Sequence, residues 1–153
     1  MDQAQIVHEI FTILEETFER HHGIYLDRNT SLLETLATID AQQASRPVGR
    51  TCASIAAQVA HITFYLEVIE RYFVANDTSK ADWGAIWQTV EQVTPEQWEA
   101  MQDELQRTYR RVSSALRDVS TWQSDPHLSS ALAIVVHTAY HLGEIRQALC
   151  IIA

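Results

Sequence analysis

Residues 133–149 read AIVVHTAYHLGEIRQAL, a segment in which apolar side chains recur at helical spacing around two histidines. A second segment of the same kind, SIAAQVAHITFYLEVIERYF at residues 54–73, contains a third histidine. Apolar residues recur at this spacing almost throughout the chain, and nowhere do they alternate for long as they would in strands. The sequence therefore predicts an all-α protein.

Four long helices and two short ones are expected. The long helices cover about residues 3–20, 51 or 54 to 75, 95–119 and 126–151, and the short ones cover 31–44 and 83–90. Thr94-Pro95 and Asp125-Pro126 are start signals, because each places a capping residue before a proline in the first turn. Long helices with few breakers inside them predict a four-helix bundle that forms one domain over residues 1–153.

The chain carries a formal charge of −9, from 20 acidic and 11 basic residues. Such a chain lacks the general attraction to phosphate backbones and acidic membrane surfaces, so neither nucleic acid nor a membrane is expected as a partner. Its one basic cluster, Arg107, Arg110 and Arg111, lies among acidic residues and is interpreted as a solvated helix face. No apolar run approaches the roughly 18 residues that a membrane span requires.

The two cysteines, Cys52 and Cys150, have no spacing typical of a metal motif. The first residues, MDQAQIVHEIF, lack the basic and apolar regions of a signal peptide. We therefore expect a cytoplasmic protein with free thiols, each buried as a small apolar side chain.

His137 and His141 lie four residues apart, which on a helix is about 40° around the axis, so both rings project from one face. Both can then reach one ion at roughly 2.0–2.1 Å, and His61 completes a three-nitrogen set if its helix faces theirs. Glu144 belongs to the same face, and three roles are open to it: fourth ligand, orienting acceptor or general base. Tyr65, one turn after His61, could direct its hydroxyl into the same space.

Three imidazoles would hold Zn²⁺, Ni²⁺, Fe²⁺ or Mn²⁺ and leave a coordination position for water, as catalytic sites do. The alternative is that these histidines are core residues with polar contacts. Trp83 and Trp87 lie in the connection between the second and third long helices and are expected at the rim of a pocket, with a packing role favoured over a substrate platform. The remaining histidines are interpreted as surface or helix-end residues: His8, His21, His22 and His127.

Three motifs resemble those of the DinB-like/YfiT-like superfamily of bacterial four-helix-bundle proteins: TSLLETL at 30–36, VAHI at 59–62 and VHTAYHLGEI at 136–145. The resemblance extends over nearly the whole chain and implies that His61, His137 and His141 bind one divalent ion. It also implies that Gly143 is small so that helices can pack closely near the site. Related proteins often have glutamine at the position of Glu144.

Some members of that superfamily are described as metal-dependent hydrolases, and others are transferases or isomerases that use a low-molecular-weight thiol. The resemblance thus implies a small-molecule substrate, and it also implies a homodimer. The leading hypothesis is a metal-dependent enzyme that activates a thiol or water. The second is a non-catalytic metal-binding or stress-response module, and the third is a plain helical dimer whose histidines lie in the core.

Overall fold

The computed structural model describes residues 2–49, 52–88, 90, 92–117, 122 and 125–152. Its helices are α1 (Gln3–Phe18), α2 (Leu32–Leu36), α3 (Ala41–Ser45), α4 (Ile55–Ala75), α5 (Pro95–Leu116) and α6 (Asp125–Ile152). One 3₁₀ turn, Ala85–Gln88, lies between α4 and α5. No strand occurs in these described ranges, so the predicted all-α fold is confirmed.

Side-chain caps begin α4 and α5 where the sequence predicts these helices to start. Thr94 accepts a hydrogen bond from the backbone N–H of Gln97, whose side chain in turn accepts one from the N–H of Thr94. This reciprocal pair, with proline in the first turn, fixes the start of α5. Ser54 caps α4 by accepting from the N–H of Ala57, so α4 begins at the later of its two expected starts.

The helix expected over residues 31–44 is wrong as a single element, because the chain forms α2 and α3 there. Asp40 caps α3 and therefore has extended backbone angles, which interrupt any helix arriving from α2. The break exposes the carbonyl of Ile39, which accepts a hydrogen bond of 2.7 Å from the indole N–H of Trp98. Trp98 is thus a buried packing residue that joins this segment to α5.

The other boundaries differ by small amounts. α1 ends at Phe18, although the sequence predicts an end near residue 20. α5 ends at Leu116, whereas the predicted end is near residue 119; positions 118 and 119 lie outside the described residues. The helix expected at 83–90 is only the 3₁₀ turn, and position 89 also lies outside the described ranges. None of the helices in the described part of the chain combines the length and apolarity needed to cross a bilayer.

The buried carboxylate of Glu16 holds the loop after α1 in place. It accepts hydrogen bonds of 2.8–3.1 Å from the backbone N–H groups of His22, Gly23, Ile24 and Tyr25. Burial raises the pKa of Glu16, but these four backbone donors outweigh it and hold the pKa below its ordinary value. Gly23 has a φ of +83°, a left-handed conformation that glycine adopts without strain.

The four long helices share one hydrophobic core, in which α4 packs against both α5 and α6, and α6 also contacts α1. A stacked ring pair, Phe18 and Tyr109, links α1 to α5 with centroids 4.1 Å apart. The largest fully buried side chains come from every long helix and from α2: Leu14, Phe18, Leu32, Leu36, Ile55, Ile62, Leu66, Leu105, Leu116, Ile134, Leu142 and Ile145. For function, the important contact is that of α4 with α6, because these helices carry the three histidines singled out above.

The cysteines and the arginine cluster singled out in the sequence all lie at the surface. Cys52 and Cys150 are both exposed free thiols, so the expectation that they are buried is wrong. Arg107, Arg110 and Arg111 are exposed, as expected for a solvated face, and Arg111 donates to both carboxylate oxygens of Glu70 on α4.

Large apolar side chains also lie exposed along α6 at intervals of four residues. They are Leu128, Leu132, Val136 and Tyr140, with exposed fractions from 40% to 69%. We refer to these four residues as the α6 stripe.

Candidate metal centre

The structure brings His61, His137 and His141 together between α4 and α6. One ring nitrogen of each lies within 4.8 Å of the corresponding nitrogens of the other two. The ring centroids are 4.6–5.0 Å apart. His61 and His141 are buried, and His137 is half-buried. Residues that are 76 and 80 positions apart in the chain thus form one cluster, because α4 packs against α6.

The spacing of these nitrogens fits a single small cation. Three atoms separated by no more than 4.8 Å have a common centre within about 2.8 Å of each, whereas zinc–imidazole bonds are roughly 2.0–2.1 Å long. Each nitrogen would therefore have to move inward by about 0.7 Å at most. Rotations of the imidazole rings can provide a movement of this size.

Two of the imidazoles have a buried nitrogen without a hydrogen-bond partner among the described residues, namely Nδ1 of His61 and Nε2 of His137. A buried polar atom left without a partner costs about 1–3 kcal/mol. Core histidines that had been retained for packing would be expected to have both nitrogens satisfied. The unpaired atoms therefore favour a bound cation over the interpretation as core residues.

All three rings are neutral at neutral pH, which is the form that binds metals. Burial and, to a smaller extent, nearby His141 lower the pKa of His61 to about 4, against the opposing effect of Glu144. Burial, with help from both other histidines, lowers the pKa of His137 to about 3. Burial also lowers the pKa of His141, and Glu144 partly opposes this. An ion would therefore have few protons to displace.

Glu144 contacts His141 directly, with its Oε2 2.9 Å from Nδ1 of the ring. A carboxylate at this distance accepts the Nδ1 proton, which leaves Nε2 of His141 as the nitrogen with a free lone pair. Such carboxylate–histidine pairs typically orient a metal ligand. Of the three roles left open by the sequence, this contact supports the orienting acceptor. A hydrogen bond between Tyr140 and Glu144 raises the pKa of the Tyr140 hydroxyl.

Aromatic rings cover two of the histidines. Trp87, from the 3₁₀ turn, stacks on His61 with centroids 4.2 Å apart and an interplanar angle of 21°. The rings of Trp83 and His61 are arranged edge to face, with centroids 6.1 Å apart. Tyr65 lies almost parallel to His137, with centroids 3.6 Å apart. The segment after α4 thus folds back over the cluster.

A cavity of about 860 Å³ borders the cluster at His141 and Glu144. Its walls are the segment before α4, the start of α4, the 3₁₀ turn and the C-terminal half of α6, and Trp87 lies at its border as expected for a pocket rim. Gly143 also lines it. A Cβ at that position would meet nothing within 4 Å, so the expectation that Gly143 allows close helix packing is wrong.

Sequence reasoning missed Gln58, which lines this cavity and is buried. Its position three residues before His61 places it on the same face of α4, so the helical spacing could have identified it. The remaining histidines lie outside the cluster. His22 pairs with Glu15 at 3.0 Å, and the half-buried His127 ring packs against Phe73.

Compared with models of known protein families, with curated protein sequences and with solved structures, the chain shows no match. The resemblance to the DinB-like/YfiT-like superfamily therefore rests on the motifs alone. The chemistry of the site has to be argued from its own geometry.

Proposed function

We propose that this chain is a metal-dependent enzyme in which His61, His137 and His141 hold one divalent ion. The observation that carries the proposal is the convergence of three neutral imidazoles, two with unpaired buried nitrogens, at the edge of a cavity. Three protein ligands leave at least one coordination position for a small molecule. Nitrogen donors suit Zn²⁺, Ni²⁺, Fe²⁺ and Mn²⁺, and we propose an ion of this group.

The chemistry proposed is the activation of a low-molecular-weight thiol or of water, as in a thiol S-transferase or a hydrolase. A divalent ion of this kind lowers the pKa of a thiol or water that it binds. The protein supplies the remaining functions. Glu144 holds the His141 ring in place and borders the cavity, where its carboxylate can accept a proton. Trp87 shields His61 from bulk water.

We further propose that the fold is a four-helix bundle of the DinB-like/YfiT-like type. Four long helices contribute to one core, and the histidines lie on the second and fourth of them, as the resemblance implies. The short helices α2 and α3 and the 3₁₀ turn lie in the connections.

The first experiment is elemental analysis of freshly purified protein, compared with the His137→Ala variant. One equivalent of a divalent metal is expected in the wild type and almost none in the variant. His8→Ala is the matched control, because His8 is exposed on α1 and should not change the metal content. Metal-free wild type that gains no ion on addition of any of the four metals would refute the proposal.

A second function, a non-catalytic metal-binding or stress-response module, is favoured by one observation. His61 and His141 are buried, and Trp87 covers His61, which would suit an ion with a structural role. Conjugation assays with a panel of thiols and electrophiles separate the two functions. Metal-loaded protein that stays inert in them, while losing most of its thermal stability without the ion, would favour the second function.

We also propose a homodimer through the α6 stripe. Residues spaced by four form a ridge along a helix, and such ridges interdigitate in the commonest class of helix packing. A ridge can pack against its own copy about a two-fold axis. Val136→Glu is expected to give a monomer by sedimentation analysis. Val74→Glu, at an exposed valine on α4, is the matched control and should leave the association state unchanged.

A further inference from the structure

Gln58 is an unusual residue in the wall of the cavity. It is only 6% exposed, and its side-chain carbonyl oxygen Oε1 has no hydrogen-bond partner among the described residues. Much of the surrounding wall is apolar and includes Val48, Ala53, Ala148 and Ile151. A buried acceptor without a donor is unfavourable, and native structures rarely retain one without a reason.

The cavity itself limits what could supply the missing donor. Its volume of about 860 Å³ lies within the range typical of small-molecule sites. No lysine or arginine is among the described residues that line it, whereas Glu144 contributes a carboxylate. The wall therefore favours a neutral molecule over an anion. Because the terminal torsion of glutamine is soft, the amide of Gln58 can turn toward such a molecule.

Trp87 indicates the shape of the ligand. Its indole stacks on His61, and the residue is 37% exposed and lines the cavity. A flat ring in the cavity could pack against this indole and against the aliphatic wall at the same time. Gly143, which also lines the cavity, adds no side chain to its wall, and a Cβ at that position would contact none of the neighbouring elements.

We propose that the cavity binds a small, flat, largely apolar molecule with an N–H or O–H group, and that this group donates a hydrogen bond to Oε1 of Gln58. The proposal rests on the proposed function, because the molecule would lie beside His141 as the substrate of that centre. Gln58 is then a residue that determines specificity, since it selects molecules with a donor over molecules of the same shape without one.

The test uses two matched pairs of probes. Indole and benzothiophene have the same bicyclic shape, but only indole has an N–H donor, and phenol and fluorobenzene differ likewise in the O–H group. Dissociation constants are measured by titration calorimetry for the metal-free and zinc-loaded protein. For each pair we take the ratio of the two affinities, donor probe over its partner. This ratio should be about ten times larger in the wild type than in Gln58→Met. Gln106→Met, at a half-buried glutamine of α5 outside the cavity wall, should keep the wild-type ratio.

A second variant ties the binding to this cavity. Gly143→Leu fills part of the cavity from the α6 side and leaves the amide of Gln58 in place, so it should weaken all four probes while leaving the two ratios unchanged. An unchanged ratio in Gln58→Met, or no binding of either donor probe to the wild type, would overturn the proposal. So would a loss of zinc from Gln58→Met, because Gln58 would then act by positioning His61. If neither the wild type nor any variant binds zinc, the metal proposal fails. The ratios of probe affinities for the metal-free protein then still decide the role of Gln58.

Discussion

Replacing His137 with leucine should have opposite effects on stability without and with metal. In the metal-free protein, Nε2 of His137 is buried and unpaired. Leucine removes this unpaired atom and keeps an apolar body of similar size against Tyr65, which stacks on the ring. Since an unpaired buried group costs about 1–3 kcal/mol, the metal-free variant should be as stable as the wild type or more stable by about 1–2 kcal/mol.

Zinc should reverse this order. A ligand at 100 times its dissociation constant adds about 2.7 kcal/mol to the stability of the protein that binds it. For a chain of 153 residues, each kcal/mol shifts the midpoint of thermal unfolding by about 2–4 °C. The wild type should therefore gain about 5–10 °C from zinc, while His137→Leu gains little because it has lost one of three ligands.

The assay is thermal unfolding followed by circular dichroism, first in a chelator and then over a zinc titration. His8→Leu is the matched control, because this exposed histidine should leave the response to zinc unchanged. The reasoning fails if metal-free His137→Leu is several kcal/mol less stable than the wild type and the wild type does not respond to zinc. That result would mean that His137 is a satisfied core residue.

Four further predictions concern single groups. The metal-free protein should lose stability as the pH falls from about 6.5 toward 4, because the unfolded histidines take up protons there, while His61 and His137 in the folded chain have pKa values of about 4 and about 3. For the buried His61 alone, the loss in the free energy of unfolding should be on the order of 1–3 kcal/mol, measured by chemical denaturation at each pH. Glu16→Gln should lower the free energy of unfolding by about 2–4 kcal/mol, measured by the same method, since four backbone donors lose a charged acceptor. In the wild type, the stability that Glu16 contributes should likewise be lost as the pH falls through its lowered pKa. Gly143→Ala should raise stability by about 0.5–1 kcal/mol, because alanine favours the helix and its Cβ meets no neighbour; a loss instead would mean that helices approach there. Glu144→Ala should weaken zinc binding about 10–100-fold in a competition assay with a chromogenic chelator, and an unchanged affinity would show that orienting His141 contributes nothing.

The parts of the fold that the sequence predicts correctly depend on local chemistry. The start of α5 follows from Thr94, Pro95 and Gln97, whose contacts all lie within one turn. The common direction of His137 and His141 follows from helix geometry alone. That His61 meets them was expected only if α4 and α6 faced each other, which depends on packing across the whole core and therefore needed the structure.

The features that the sequence does not reveal depend on distant or competing contacts. Asp40 acts as a cap and divides the predicted helix over 31–44, although the residues before it have helical spacing. By helical spacing, Glu16 lies on the side of α1 away from Leu14 and Phe18, and only the fold brings its four backbone donors to it. Gly143 invites an interpretation as a packing glycine, but it is exposed and lines the cavity, so the space beside it is open.

Tyr140 belongs to two surfaces at once, since it is a member of the α6 stripe and also lines the cavity. A second copy seated on the stripe would therefore contact a residue of the cavity wall next to His141 in the chain. Self-association and uptake of a small molecule would then influence each other, and apparent affinity would change with protein concentration. Dilution series, in which binding is measured above and below the point of dissociation, would reveal that dependence.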